Sequence, residues 1–306
     1  MEIIYGINNI KRFKKPVVAL GVFDGVHRGH RFIIKEAVKK AHQIKGTSVV
    51  LTFHPHPQKQ PSLYSLAHRL RLIEELGVDV CMIIKFSPAF SKISAVDFIK
   101  NILAAKIGAS FVYVGKNFRF GKSAAGDNRL LGKFSGVYDF KVKAFDILKI
   151  NRRIISSTCI RGLIKHGKIG AAGKLLQRPV SVFGTVIKGI SLARRLGFPT
   201  ANIDPHHEIL PPSGVYAVKV IFNRKIFRGV CNIGIKPTLL SRPDELGAGP
   251  QKQIEVFIFD FNKNIYGRDL EVQFIRKIRD EVKFPSLSLL AEQITKDINL
   301  TKKILP

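Results

Sequence analysis

The sequence predicts two domains, an α/β domain built on a parallel sheet and a small closed antiparallel β-barrel with a C-terminal helix. Buried-strand and helical patterns alternate through the first half of the chain. Short strands separated by turns rich in Gly, Pro and Asn fill the second half. A length of 306 residues favours two cores of ordinary size over one. We expect the first domain at residues 1–179 and the second at 180–306.

The α/β half opens with an apolar strand that enters a glycine-punctuated turn carrying two histidines. Residues 17–23 are continuously apolar, as in a strand buried on both faces, and helical spacing begins after the turn. The amino end of a helix presents unpaired N–H groups and a positive dipole end to an anion. His27 and His30 lie three residues apart, so both can point to the same side. Glycines that would let a polyphosphate approach the backbone are Gly21, Gly25 and Gly29.

Further strands and helices extend this α/β pattern. Because parallel strands in such sheets collect ligands at their carboxyl ends, the polar clusters after each strand predict one binding edge. The predicted strands are 47–53, 78–86 and 110–115, the predicted helices are 65–76 and 95–107, and the polar clusters are 52–57 and 115–121.

A last polar cluster, residues 155–161, precedes a short amphipathic helix. Ser157 or Thr158 is the predicted N-cap, and Arg161, one turn further on, would be available to a phosphate. Taken alone, this cluster favours the simpler interpretation, a capped helix with a solvated arginine.

The histidines have an alternative role as metal ligands. His27 and His30, with His54 and His56 after another strand, could coordinate a metal ion. The set lacks thiolates and an obvious carboxylate, so phosphate contact is the preferred role.

The second half contains five predicted strands, which favour a closed antiparallel barrel. A final helix carries a leucine and isoleucine stripe as its expected core face. The strands are 180–188, 214–222, 225–233, 253–261 and 270–275, and the helix is 286–300.

The composition restricts the classes of partner and the compartment. Lysine and arginine number 51 against 22 acidic residues, a formal charge of +29 that attracts polyanions. The basic residues are spread along the chain without a nucleic-acid-binding motif, so we expect no dedicated nucleic-acid partner. No apolar run reaches the roughly 20 residues that span a bilayer, and three scattered cysteines suit a reducing compartment. We expect a cytoplasmic protein with no membrane partner, and the oligomeric state stays open.

The motifs of the first half resemble those of the prokaryotic bifunctional riboflavin kinases and FMN adenylyltransferases, also called FAD synthetases. The segment Gly-Val-Phe-Asp-Gly-Val-His-Arg-Gly-His at 21–30 is similar to the adenylyltransferase signature. Residues 52–57, 115–121 and 155–161 are similar to three further family motifs. The resemblance implies a Rossmann-like nucleotidyltransferase domain that adenylylates FMN with ATP. It implies catalytic contacts to ATP phosphates from His27 and His30, and nucleotide or flavin contacts from Gly21, Phe23, Asp24, Gly25, Gly29, Asn117, Ser157, Thr158 and Arg161.

The second half resembles the riboflavin kinase module of the same family. Leu-Gly-Phe-Pro-Thr-Ala-Asn-Ile at 196–203 is close to its central motif, and blocks at 232–238 and 254–261 match two others. The resemblance implies that Glu255 is the catalytic base and that Thr200 and Asn202 place Mg²⁺ and the ATP phosphates. Further contacts to ATP or flavin are implied for Gly189, Gly197, Pro199 and Asn232. A base is chemically expected, because the ribityl hydroxyl of riboflavin must lose its proton as it takes the phosphoryl group.

One segment departs from the family pattern. A glycine- and arginine-rich loop usually precedes the central motif, but Ile190 to Ala193 here are Ile-Ser-Leu-Ala. Such residues would narrow backbone freedom in a loop that wraps phosphates. Two alternatives therefore stand beside the bifunctional enzyme: an FMN adenylyltransferase with a degraded kinase site, and a regulator that binds flavin or nucleic acid. Residues 239–252 are expected to form a mobile loop near Glu255.

Overall fold

The computed structural model describes residues 1–57, 62–150, 153–189, 196–235 and 252–306. Contacts divide the chain into two compact units, Met1–Cys159 and Ile160–Pro306. The predicted domain boundary after residue 179 stays a prediction. Two predicted features lie outside the described residues: the segment Ile190 to Ala193, which departs from the family pattern, and nearly all of the predicted loop 239–252.

The first unit contains a six-stranded, wholly parallel sheet. Its strands are β1 (Glu2–Tyr5), β2 (Val17–Leu20), β3 (Ser48–His54), β4 (Val80–Lys85), β5 (Phe111–Gly115) and β6 (Lys141–Phe145). Its helices are α1 (Arg28–Gln43), α2 (Leu66–Glu74), α3 (Ala95–Asp97), which continues as a π-helix over Phe98–Lys106, and α4 (Asn128–Ser135). A small hairpin, β7 (Lys149–Ile150) and β8 (Arg153–Ile154), precedes α5 (Ser157–Lys165), within which the division between the units falls.

The strand order is β1-β4-β3-β2-β5-β6, which places β2 in the middle with β3 on one side and β5 on the other. All four residues of β2 are buried, as its continuous apolarity predicted. Helix α1 packs through Ile34, Ala37 and Ala41, which recur at helical spacing. The carboxyl ends of β3, β2 and β5 therefore meet at one edge of the sheet, and the predicted convergence of their polar clusters is confirmed.

The second unit is a closed six-stranded barrel with antiparallel neighbours in the order β10-β13-β12-β11-β14-β9. The five predicted strands are confirmed, and the structure adds a sixth, β10. This strand begins at the threonine of the Pro-Thr-Ala-Asn motif. The elements of this unit after α5 are α6 (Ile169–Leu176), β9 (Val180–Ile187), β10 (Thr200–Asp204), β11 (Gly214–Phe222), β12 (Lys225–Ile235), β13 (Lys252–Ile258), β14 (Asp269–Arg279) and α7 (Leu287–Ile304).

Helix α7 begins where the sequence predicted, with Ser286 as its N-cap, and runs four residues further than predicted, to Ile304. Its expected leucine and isoleucine core face is only partly correct. The fully buried residues of α7 are Asp297 and Thr301, whereas Leu287 and Leu289 are exposed. The physical reason is an ion pair, since the Asp297 carboxylate accepts a fork of hydrogen bonds from Arg279 at 2.8–3.1 Å.

Candidate active sites

The turn after β2 is a tight, buried loop. Close packing leaves little room for a side chain at Gly21 or Gly25. Phe23 adopts a left-handed conformation with φ 52°, and Gly25 has φ 77°. A Cβ at Gly25 would lie 2.6 Å from Leu63 Cδ1, so a side chain there would have to displace Leu63. A Cβ at Gly21 would lie 3.0 Å from the ring of Phe23. The loop therefore holds one shape through contacts with its own neighbours.

The two histidines lie together at the amino end of α1, as their spacing predicted. Their rings stack with centroids 3.6 Å apart and planes 18° from parallel. His27 is the N-cap of α1, and its Nδ1 accepts a hydrogen bond from the backbone N–H of His30 at 3.4 Å. Because Nδ1 is the acceptor, a neutral His27 carries its proton on Nε2. The ring of Phe23 meets His30 edge-on at 5.3 Å, and a Cβ at Gly29 would lie 3.3 Å from His27 Cε1.

Asp24 fastens this turn to two distant segments. Its carboxylate Oδ1 accepts a hydrogen bond from the backbone N–H of Leu63 at 2.8 Å. Its main-chain carbonyl accepts one from the hydroxyl of Ser157, also at 2.8 Å. The side chain of Asp24 is buried, so its hydrogen bond to Leu63 stabilises the turn from the protein interior. Ser157 and Asp24 are thus brought together, as the motifs implied.

Two side chains that the sequence did not single out as site residues hold the start of the same turn. The carbonyl of Val22 accepts hydrogen bonds from Thr52 Oγ1 and from Arg69 Nη1, each at 2.8 Å. Arg69 also donates from Nη2 to the carbonyl of Phe53 at 3.4 Å and is buried. Burial lowers the pKa of the Arg69 guanidinium, while the nearby Asp24 carboxylate opposes that shift. Arg69 therefore ties the carboxyl ends of β2 and β3 together.

The neighbouring strand ends supply two more polar side chains. Asn117 follows β5, is exposed, and places Oδ1 3.1 Å from where a Cβ at Gly115 would lie. His54 ends β3, where desolvation and the charge of Arg69 lower the pKa of its imidazole. The neutral form of His54 is therefore favoured at this edge of the sheet.

The predicted N-cap of α5 is wrong by one residue. Ser156 Oγ accepts a hydrogen bond from the backbone N–H of Cys159 at 3.2 Å, which is the capping bond. Ser157 is already the first helical residue, and its hydroxyl goes to Asp24 instead. Thr158 is exposed, and Arg161 is buried beyond the point where the two units divide. Their phosphate contacts stay predictions.

The barrel brings three predicted kinase residues into one row. Glu255 on β13 pairs directly with Asn202 on β10 and, on the other side, with Asn232 on β12. Directly paired residues project from the same face of a sheet, with Cβ atoms about 4.5–5.5 Å apart. Thr200 lies two residues before Asn202 and so shares that face. Asn202 is the most buried of the row.

The amide of Asn202 is held by its neighbours. Its Oδ1 accepts a hydrogen bond from Gln253 Nε2 at 2.5 Å, and the same nitrogen donates to Glu255 Oε1 at 2.9 Å. A Cβ at Gly189 would overlap the Asn202 amide, so a side chain at that position would have to displace the amide. Gly197, with φ 86°, and the exposed Pro199 lead into β10. No sequence pattern singled out Gln253, whose amide contacts both Asn202 and Glu255.

A cavity of about 490 Å³ opens at the start of β10. Its lining includes Pro199, Thr200 and Ala201. Apolar side chains such as Val186 and Ile258 share the lining with the polar residues Asn262, Lys263 and Asn264.

The metal alternative for the histidines finds no support in the described part of the chain. Within residues 1–57, 62–150, 153–189, 196–235 and 252–306, no group of three or more His, Cys, Asp or Glu side chains is placed to hold a metal ion. The stacked His27 and His30 rings lie at the amino end of α1, the end of a helix that favours anions.

Known proteins match both halves of the chain. A family model described as FAD synthetase matches residues 9–159, and one described as riboflavin kinase matches residues 176–305. The bifunctional riboflavin kinase/FMN adenylyltransferase of Buchnera aphidicola subsp. Schizaphis graminum is 40% identical over 314 residues, which cover 99% of this chain and 98% of the relative. The enzyme of the same name from Haemophilus influenzae is 35% identical over 311 residues, with the same coverage.

A solved structure matches the whole fold. A crystal structure described as a macrolide-efflux protein from Streptococcus pneumoniae aligns with a TM-score of 0.82 and 30% identity, covering 99% of both chains. The description 'macrolide-efflux protein' refers to the Streptococcus pneumoniae protein. In the described residues of the present chain, no helix has both the length and the apolarity needed to cross a membrane. The two family models agree with the near-complete alignments to enzymes that share one name. The chain therefore belongs to the family of bifunctional riboflavin kinase/FMN adenylyltransferases.

Proposed function

We propose that the chain makes FMN and FAD in two ATP-dependent steps at two separate sites. The barrel phosphorylates riboflavin to FMN, and the α/β unit adenylylates FMN to FAD with release of pyrophosphate. Enzymes of this family use ATP and produce these two flavins. The observation that carries the proposal is that each unit holds its own set of motif residues, His27 with His30 in one and Glu255 with Asn202 in the other.

In the α/β unit, the residues present act by alignment and charge neutralisation. The FMN phosphate is already an anion, so its attack on the α-phosphorus of ATP needs little general-base help. His27, the stacked His30 and the amino end of α1 would donate hydrogen bonds to the phosphates of ATP. Asn117 would contact the nucleotide and flavin phosphates. Ser157, Thr158 and Arg161 would hold the triphosphate and the departing pyrophosphate.

In the barrel, Glu255 takes the proton of the ribityl hydroxyl as its oxygen attacks the γ-phosphorus of ATP. Asn232, paired with Glu255 on the side away from Asn202, would bind the substrates beside it. The cavity at the start of β10 would receive the adenine ring, because it is lined by Thr200 and combines apolar surface with polar groups. Gly189 and Gly197 would let the backbone approach the phosphates.

The residues proposed for Mg²⁺ fit that ion. Thr200 and Asn202 offer a hydroxyl and a carbonyl oxygen on one face of β10, and Mg²⁺ prefers oxygen ligands, taking the rest from phosphate and water. When bound, the ion would neutralise charge on the phosphates of ATP during transfer. Thr200 and Asn202 would orient those phosphates toward the row that contains Glu255.

We also propose that the enzyme works in the cytoplasm, where ATP and reducing conditions are available. Its three cysteines are free, and two of them are buried, which is consistent with a reducing compartment.

One assay tests the function. Purified protein is incubated with ATP and Mg²⁺ and with either riboflavin or FMN, and the flavins are separated chromatographically. We expect FMN and FAD from riboflavin, and FAD from FMN. FAD from FMN without any product from riboflavin would instead select the adenylyltransferase with a degraded kinase site, for which the departure at Ile190 to Ala193 is the motive. No product from either flavin would refute both activities.

A further inference from the structure

A single side chain bridges the two functional residues of the barrel row. The amide nitrogen of Gln253 lies 2.5 Å from Asn202 Oδ1 and 2.9 Å from Glu255 Oε1. A primary amide nitrogen carries two hydrogens and accepts none, so one N–H serves each oxygen. Gln253 lies two residues before Glu255 on β13 and therefore projects from the same face of the strand.

We propose that Gln253 is a positioning residue of the kinase site, which fixes the Asn202 amide and the Glu255 carboxylate relative to each other. The inference rests on the proposed function, in which Asn202 orients ATP and Glu255 serves as the base. Gln253 touches no reacting atom in this account. It acts through the two side chains that do.

The bridge removes the main freedoms that these side chains would otherwise have. An asparagine amide can rotate by half a turn and exchange its oxygen and nitrogen with little change in shape. Donation from Gln253 selects the orientation in which Asn202 Oδ1 meets the Gln253 amide, and the backbone of Gly189 passes close to the Asn202 amide. The second N–H fixes the rotation of the Glu255 carboxylate in the same way.

The chemistry of transfer depends on that mutual placement. As the hydroxyl oxygen of riboflavin bonds to the γ-phosphorus, its proton moves to the Glu255 carboxylate, the bond from the γ-phosphorus to the bridging oxygen breaks, and ADP leaves. The base must therefore meet the hydroxyl while the phosphates are held in line. A side chain that links the base to the phosphate-orienting residue couples these two requirements.

The barrel contains a matched control for this interaction. Gln273 on β14 donates from Nε2 to Oε1 of Glu271, which lies two residues before it on the same strand, at 3.1 Å. Strand β14 pairs with β11 and β9, not with β13. Removing the Gln273 amide thus deletes an equivalent bond between a glutamine and a glutamate outside the Asn202–Glu255 row.

The test compares Gln253→Met, which keeps length but cannot donate, with Gln273→Met. We expect kcat for FMN formation to fall by about 10- to 100-fold in Gln253→Met, as for other residues that orient functional groups through hydrogen bonds. The KM for riboflavin should change by about twofold or less, because geometry rather than binding is lost. FAD formation from supplied FMN should be unchanged, and Gln273→Met should match the wild type in both reactions.

A spectroscopic readout is independent of activity. In ¹⁵N-labelled protein, the side-chain NH₂ signals of Gln253 should be shifted from those of solvated glutamines and protected from exchange, and should move in Glu255→Gln. Gln253→Met assigns them by their disappearance. Signals at the positions of solvated glutamines would overturn the bridge.

The remaining outcomes separate this inference from the proposed function. Wild-type kcat in Gln253→Met, with kinase activity lost in Glu255→Ala, overturns the inference and leaves the function intact. Kinase activity retained in Glu255→Ala overturns the function itself. If Gln253→Met is unfolded, Gln253→Glu, which keeps the length but cannot donate, decides: a kcat about 10- to 100-fold below wild type at an unchanged melting temperature supports positioning, and wild-type kcat overturns it.

Discussion

The hydroxyl of Ser157 donates a 2.8 Å hydrogen bond to the main-chain carbonyl of Asp24, across 133 positions of sequence. We expect Ser157→Ala to lower kcat/KM for FAD formation from FMN by about tenfold or less, since one such bond contributes about 1 kcal/mol. FMN formation should be spared. Ser135→Ala is the matched control, because its hydroxyl bonds only a local carbonyl, that of Gly132, at 2.7 Å. Equal effects of the two substitutions on adenylylation would contradict the account.

Arg69 should be indispensable to the turn, because it ties Val22 and Phe53 together from a buried position. We expect Arg69→Met to destabilise the α/β unit by about 2 kcal/mol, as two carbonyls lose a charged donor, and to reduce FAD formation severely. On the same helix, Arg71→Met breaks a more exposed pair, with Glu75 at 3.7 Å, and should change stability by less than Arg69→Met does. Urea unfolding measures both, and a smaller loss for Arg69→Met than for Arg71→Met would refute the prediction.

The ion pair between Arg279 and Asp297 should hold α7 on the barrel. We expect Asp297→Asn to destabilise the second unit by about 3 kcal/mol, because it leaves a largely buried cation without its counter-charge. The control is Glu292→Gln, which removes an exposed pair with Lys296 on the same helix and should leave the unfolding midpoint unchanged. Similar denaturation midpoints for both variants would show that the pair is dispensable.

The buried thiol of Cys81 should resist alkylation in the native enzyme. Burial raises its pKa to about 12, with the charge of Arg69 opposing the shift. At pH 8 we expect iodoacetamide to modify Cys159, which is half-buried, well before Cys81 or the buried Cys231. Peptide mass mapping checks the order, and early labelling of Cys81 would contradict it.

The raised pKa of Cys81 also predicts the direction of an alkaline effect on stability. Its contribution is complete below the ordinary thiol pKa of about 8.5. It is lost as the pH rises toward the folded value of about 12, because the unfolded thiol ionises first.

The elements that the sequence predicted are those with strong periodicity. The buried β2 and the start of the last helix near Ser286 are examples, since continuous apolarity and helical periodicity are local signals. The edge strands β1 and β6 escaped prediction because they are short and half-exposed, so their patterns are weak. Strand β10 escaped because a five-residue run with one asparagine and one aspartate has little strand character of its own. The barrel neighbours impose it.

The candidate sites divide in the same manner. Motifs identified residues such as His30 and Glu255, whose roles stay proposals, but they could not identify their supports. Arg69 resembles any arginine on an amphipathic helix until its carbonyl partners are known. Gln253 resembles any polar residue on a strand, and only the register that pairs Asn202 with Glu255 gives it a function. The predicted N-cap of α5 was one residue too late, because the Ser157 hydroxyl bonds the distant carbonyl of Asp24 and Ser156 makes the capping bond instead. Local capping rules do not include such tertiary partners.

The central claim is that one chain performs two reactions at two sites, and paired single substitutions test it most directly. His30→Ala and Glu255→Ala are each supplied with ATP, Mg²⁺ and either riboflavin or FMN, and FMN and FAD are quantified. We predict that His30→Ala converts riboflavin to FMN without FAD, whereas Glu255→Ala makes FAD from FMN but nothing from riboflavin. Loss of both activities in either variant, with a melting curve like that of the wild type, would contradict the separation of the two sites.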